Sequence, residues 1–227
     1  MATDFLHTHP YAPFLFPEAT SWIVGTLPPP RFTTGALKAG DVDFSYGSID
    51  GLLWPILNSI FNLNLSFKTT EHAIRERKDF LISRKIGICD IVAQATRKKI
   101  NASDSGMQNV ELRNIIAYLQ QYPNVKTLLF TGGNSKNGPE YFFRKQLKKQ
   151  GITFHKVSNT VPRIHEFKFP IVGKEATFRT LKTVSLTAPS GAANRAVGGL
   201  ALYKERKVAN ANYTTFDFRV DQYKNFF

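Results

Sequence analysis

Short apolar runs alternate along this chain with segments whose apolar residues recur at helical spacing. That alternation is the mark of a mostly parallel β-sheet covered by helices. Strands are expected at Trp22 to Gly25, Ile86 to Val92, Val125 to Thr131, Ile152 to Val157 and Lys182 to Thr187. Between them, Leu112, Ile115, Ile116 and Leu119 share one helical face, and Tyr122-Pro123 closes that helix. Pro139 opens another at its first turn and Gly151 ends it. Glu71 to Lys85 also reads as a helix, while Phe167 to Ala176, with Gly173-Lys174, reads as a hairpin or loop excursion. No internal repeat, low-complexity tract or long linker divides the chain. One domain over residues 1–227 is therefore expected, with 1–20 as an N-terminal extension.

The 227 residues, 42% of them hydrophobic, are enough for a substantial core. Thirty Lys and Arg against seventeen Asp and Glu leave a net charge of +13, which favours a polyanionic partner. Nucleic acid ranks first and an anionic membrane second. No apolar run is long enough to span a bilayer, and Met1-Ala2-Thr3-Asp4 lacks the basic start of a secretory signal, so a cytoplasmic, intracellular protein is expected. Cys89 is the single cysteine and cannot form an internal disulfide. Its place within an apolar run assigns it to core filling.

Two segments carry the strongest local signal. Trp22-Ile23-Val24 runs into Gly25-Thr26-Leu27 and then Pro28-Pro29-Pro30, a stiff turn that exposes backbone at a strand end. Phe44-Ser45-Tyr46-Gly47-Ser48-Ile49-Asp50-Gly51 leads into an apolar run expected to start a helix near Leu52, with Asp50 at its mouth. In an open α/β sheet, ligands gather at the carboxyl ends of strands, where Thr26, Asp90, Thr131 and Pro189-Ser190 fall.

These segments resemble the uracil-DNA glycosylase superfamily, whose first motif is a glycine-x-x-proline loop after the first strand. The likeness is greatest to the hypoxanthine and mismatch-specific branches, in which a Tyr-Gly stretch leads through a Trp into the next helix, as Tyr46-Gly47 leads to Trp54 here. Gly87-Ile88-Cys89-Asp90-Ile91-Val92 followed by Asn101-Ala102-Ser103-Asp104-Ser105 is similar to their Gly-x-x-Asp strand and Ser-x-Asp loop. Leu128-Leu129-Phe130-Thr131-Gly132 is similar to their central strand, Leu186 to Asn194 to their Pro-Ser motif, and Arg219 to Lys224 to their closing helix. The resemblance implies a three-layer α/β/α fold with a mostly parallel sheet of four to five strands. It also implies a monofunctional glycosylase that flips a base out of DNA and hydrolyses its N-glycosidic bond without metal or organic cofactor. DNA is the expected partner, with no membrane and no metal, and a monomer is the expected state.

The chain departs from the family pattern at two positions. Leu27 stands where relatives align water with an acid or amide, and Gly51 stands where the hypoxanthine branch keeps asparagine. Asp50 becomes the candidate catalytic residue, either orienting water or stabilising the sugar cation; otherwise it caps the helix. Gly25, Thr26, Leu27, Tyr46, Gly51, Asp90, Thr131 and Asn134 are the expected base pocket, with Tyr46 stacking on the flipped base or packing in the core. Ser190, Gly191, Ala192, Asn194 and Arg195 are the expected DNA contact. Asp90 reaches the pocket or ties down a neighbouring loop, and Asp104 orders the Asn101–Ser105 turn. Gly51 at the pocket rim and Thr131 in place of a base-reading asparagine imply a roomier pocket, for either a deaminated base of the hypoxanthine or uracil type or a bulky phage base such as glucosylated hydroxymethylcytosine. His155 and His165 are expected to be surface or structural.

Rival classes are limited. One cysteine excludes the zinc nucleobase deaminases, and no Gly-x-x-x-x-Gly-Lys-Ser/Thr occurs. The alternative reading is a non-catalytic DNA-binding module with a degenerate glycosylase fold.

Overall fold

A computed structural model describes residues 4–171, 173 and 176–227. Met1 to Thr3 of the expected extension, and Lys174 at the expected turn, lie outside the described residues. In chain order the elements are β1 (Phe5–Thr8), β2 (Ser21–Val24), α1 (Pro30–Thr34), α2 (Leu53–Phe61), α3 (Glu71–Ser83), β3 (Ile86–Ile88), β4 (Val92–Arg97), β5 (Gln108–Leu112), α4 (Ile115–Gln121) and β6 (Thr127–Phe130). They continue with α5 (Pro139–Lys149), β7 (His155–Ser158), β8 (Arg163–Pro170), β9 (Phe178–Ser185), α6 (Asn194–Gly198), α7 (Ala201–Ala209) and α8 (Thr215–Tyr223). The chain forms two compact units, one of residues up to Leu37 with Asp79–Leu186, the other of Lys38–Lys78 with Thr187–Phe227.

The first unit holds a six-stranded sheet in the order β3-β2-β6-β9-β8-β7. β3, β2, β6 and β9 run parallel, and β8 and β7 add antiparallel at one edge. The mixed α/β class with a mostly parallel sheet is as expected; the strand number of four to five is corrected to six. The added strand is β8, paired with β9 from Arg163↔Ser185 to Pro170↔Phe178. Its period-two pattern is visible in the sequence, since His165, Phe167 and Phe169 are buried while Lys168 and Pro170 are exposed. A second, three-stranded antiparallel sheet joins β1, β4 and β5. The run expected as one strand from Ile86 to Val92 is therefore two, broken at Cys89–Ile91, and Asp90 occupies the break.

α5 forms as the sequence predicts, with Pro139 at its first turn and Gly151 left-handed just past its end (φ +67°). Gly138 before it is obligatory, because a Cβ there would lie 2.5 Å from the Gly133 carbonyl. α4 also forms, but Leu112 belongs to β5 rather than to the helix. The core of this unit includes Trp22, Val24, Leu128, Phe130, Phe143 and Phe167, all essentially without exposure. Each such side chain stabilises the fold by roughly 1.5–3 kcal/mol relative to an exposed one. Cys89 is part of this core, and burial pushes its thiol up to about 12, so it is an inert filler.

The second unit is helical. α2 packs on α8, which opens with a reciprocal cap between Thr214 and Asp217. Arg77, fully buried, lies over the Trp54 and Phe67 rings at 5.3 and 5.1 Å and donates from Nη1 to the Ser66 and Ala73 carbonyls at 2.9 and 2.8 Å. Burial lowers its pKa to about 10. Among the described residues no helix is long and apolar enough to cross a membrane.

Candidate functional site

In the first unit, the Gly25–Pro28 loop follows β2 and is fastened by residues distant in sequence. Gly25 N–H donates to Asp90 Oδ1 at 2.9 Å, and Ile91 N–H donates to the Gly25 carbonyl at 2.9 Å. The Thr26 hydroxyl donates to Asp104 Oδ1 at 2.7 Å. Thr131 N–H donates to the Val24 carbonyl, which sets Thr131 at the end of β6 beside the same loop. Gly25, Thr26, Asp90 and Thr131, four of the expected pocket residues, are thus brought together at the carboxyl ends of parallel strands. Leu27 packs partly buried against the hydrophobic core.

Behind the loop lies a polar layer for which the sequence offers no local signal. His9 is buried; its Nδ1 accepts from Tyr11 N–H at 3.2 Å, so Nε2 carries the proton and donates to Asp90 Oδ2 at 2.9 Å. Asp90 therefore has both oxygens engaged, Oδ1 on the loop and Oδ2 on His9. Arg97, 1% exposed, donates from Nε to His7 Nδ1 at 2.7 Å and from Nη1 to the Ser103 carbonyl at 2.6 Å. His7 is fully buried, and its Nε2 faces the Pro28 carbonyl in a contact looser than a full hydrogen bond. Burial, reinforced by the Arg97 charge, lowers His7 to about 4 and keeps it neutral near pH 7.

Asp104 does not order its own turn as expected, since that turn is closed by Asn101 Oδ1 accepting from Ser103 N–H at 3.1 Å. Its carboxylate points to Thr26 instead. Burial raises the Asp104 pKa above the ordinary value; the Thr26 hydrogen bond and Arg97 counter this, and the Asp90 charge adds to it. Asn137 Nδ2 donates to the Asp104 and Met107 carbonyls at 2.9 and 3.1 Å, anchoring the turn after β6 to the same group. Asn134, the asparagine expected in the pocket, is exposed and lines a cleft of about 620 Å³ with Tyr141, Arg144, Lys145, Lys148 and Phe154.

In the second unit, the segments around Asp50 and Ser190 meet. Gly51 bridges Ser190 antiparallel, and Leu52 N–H donates to the Pro189 carbonyl at 2.9 Å. Asp50 lies on an exposed turn, 3.0 Å from Lys38 Nζ. It does not cap α2, which begins at Leu53 without a side-chain cap. A Cβ on Gly51 would lie 3.0 Å from the Ser48 carbonyl, so glycine here answers to close backbone approach as well as to side-chain space. Tyr46 is half-buried in the left-handed region (φ +59°), a conformation uncommon for a bulky residue. Gly47, the next residue, has no room for a side chain, since a Cβ there would collide with the Val42 carbonyl at 1.9 Å.

The expected DNA-contact segment is shaped by Arg219, which is fully buried. It donates to the Ala188 carbonyl (2.9 Å), the Ser190 carbonyl (3.0 Å), Asn194 Oδ1 (2.9 Å) and the Thr215 carbonyl (2.9 Å). Gly191, Ala192, Asn194 and Arg195 remain exposed. Among the described residues no cluster of three or more His, Cys, Asp or Glu is arranged to hold a metal ion.

Comparison with known proteins adds no neighbour: family models, curated proteins and solved structures all returned no match to this chain.

Proposed function

We propose that this protein is a monofunctional DNA glycosylase with a three-layer, uracil-DNA glycosylase-like fold. It removes an abnormal or modified base and leaves an abasic site. The observation that carries this reading is the fastening of the Gly25–Pro28 loop by Asp90 and Asp104, 65 and 78 residues away from their partners in the chain. Three segments that resemble separate glycosylase motifs thereby converge at strand ends, where α/β folds collect ligands.

The reaction needs a positioned water, a proton acceptor and stabilisation of an electron-poor sugar. Asp50, exposed and paired with Lys38, suits electrostatic stabilisation of the sugar better than proton transfer. Tyr46 supplies a ring to stack on a flipped base, and its left-handed backbone is the kind of local strain that collects at functional sites. The exposed Gly191, Ala192, Asn194 and Arg195, together with the +13 charge, supply the approach to the phosphate backbone. The substrate is a deaminated base or a bulky modified base such as glucosylated hydroxymethylcytosine.

The test uses single- and double-stranded oligonucleotides carrying uracil, hypoxanthine, xanthine or glucosylated hydroxymethylcytosine, incubated with the purified protein and then treated with alkali. Alkali-dependent cleavage at the modified position, with free base released, is the expected result. A shift in DNA mobility with no alkali-labile site on any substrate selects the non-catalytic DNA-binding module instead.

A further inference from the structure

We infer that Asp104 is the proton-accepting residue of this glycosylase reaction, a role that rests on the function proposed above. Two carboxylates flank the Gly25–Thr26 loop, and their hydrogen bonds separate their roles. Asp90 has both oxygens committed, to Gly25 N–H and to His9 Nε2–H, so it is a positioning residue. Among the described residues the Asp104 carboxylate is engaged through Oδ1 alone, by the Thr26 hydroxyl. Asp104 is also partly exposed, which leaves Oδ2 for a water or ligand.

The surroundings of Asp104 are built to hold that oxygen in place. Its main chain is gripped by Asn137 Nδ2 at its own carbonyl, and Arg97 Nη1 grips the preceding Ser103 carbonyl at 2.6 Å. Arg97 is itself buried and oriented by neutral His7. Two buried polar groups, a guanidinium and the imidazole it donates to, thus support one short turn. Partial desolvation makes Asp104 a stronger base than a carboxylate in water, the property that proton abstraction requires.

The step balances without a cofactor. A water held by Oδ2 attacks the anomeric carbon of the flipped nucleotide and passes one proton to Asp104. The carbon–nitrogen bond breaks, its electron pair leaves with the base, and the base takes a proton from solvent. The products are a hydroxyl on the abasic sugar and the free base; Asp104 returns its proton to water.

The experiment compares wild type, Asp104→Asn and Asp104→Ala on whichever of the four modified oligonucleotides the wild type cleaves best, with thermal unfolding recorded for each. Asp104→Asn keeps an acceptor for the Thr26 hydroxyl, so it carries the test should the alanine variant fail to fold. Base release is expected to fall by about 10²–10⁴-fold in both variants, with DNA affinity retained. Added formate should restore part of the rate to Asp104→Ala, because a small carboxylate can occupy the vacated space and accept the proton; a purely structural role would show no such rescue. A folded Asp104 variant with the wild-type rate, or a slow, folded Asp104→Ala that formate leaves unchanged, overturns the assignment while the glycosylase reading stands. Absence of base release by the wild type from all four substrates overturns the glycosylase reading itself, and Asp104's role with it.

Discussion

Arg219 Nη1 donates to Asn194 Oδ1 at 2.9 Å, and the same guanidinium holds the carbonyls of Ala188 and Ser190. A buried cation thus sets the path of an exposed backbone segment. Replacing Arg219 by alanine should leave those acceptors unpaired and cost about 3 kcal/mol of stability, measured as a lowered urea midpoint. Arg219→Lys should recover part of it. DNA affinity at low salt should fall in both variants, since the segment carrying Asn194 and Arg195 loses its support. An alanine variant with an unchanged urea midpoint would contradict the supporting role.

Asp50 pairs with Lys38 on the surface, and exposed pairs of this kind contribute about 0–1 kcal/mol. Asp50→Asn should therefore leave the unfolding midpoint nearly unchanged. DNA affinity should stay equal or rise, because a negative charge is removed beside a polyanion. Base release should slow, and single-turnover kinetics on saturating enzyme separates that loss from any change in binding.

The Thr26 hydroxyl lowers the Asp104 pKa by donating to the carboxylate. Thr26→Val removes the donor at nearly constant shape, so the Asp104 pKa should rise further. A general base works when deprotonated, and the acid limb of the rate profile should accordingly move to higher pH in Thr26→Val. The expected signature is a larger loss of base release at pH 5 than at pH 8. An equal loss at both values would assign Thr26 to packing alone.

His7 titrates near 6.5 in the unfolded chain and near 4 in the folded one, because burial and Arg97 oppose its charge. Between those values the unfolded state binds more protons, so stability falls as pH drops from about 6.5 to about 4. The loss is on the order of 3 kcal/mol. Asp104, raised by burial, works in the opposite sense, and the informative quantity is therefore the difference between wild type and His7→Gln. Glutamine keeps an acceptor for Arg97 Nε and does not titrate, so its urea stability should show a flatter pH dependence in that window.

The parallel centre of the sheet is visible in the sequence because β2 and β6 are continuous apolar runs and α5 carries its own start and stop in Pro139 and Gly151. β4 and β5 are not, since Val92–Arg97 and Gln108–Leu112 mix small and polar residues along strands whose exposure alternates irregularly. The same limit applies to the site. Gly25, Thr26 and Asp90 stand out beside glycine, proline and apolar runs. His7 and His9 become meaningful only through partners 90 and 81 residues away, Arg97 and Asp90, and pairing at that separation leaves no local pattern. Asn137 rather than Asn134 reaches Asp104, a choice fixed by the path of one turn.

The proline run after Thr26 also determines which main-chain groups the loop leaves unpaired. Pro28, Pro29 and Pro30 have no amide proton, and that of Gly25 is committed to Asp90. Between Gly25 and Pro30, main-chain donors for a ligand can come from Thr26 and Leu27 alone. The carbonyls are drawn on in the same way, since that of Gly25 accepts from Ile91 N–H and that of Pro29 from Phe32 N–H, so the middle of the loop, Thr26 and Leu27, holds the main-chain groups left to meet a partner.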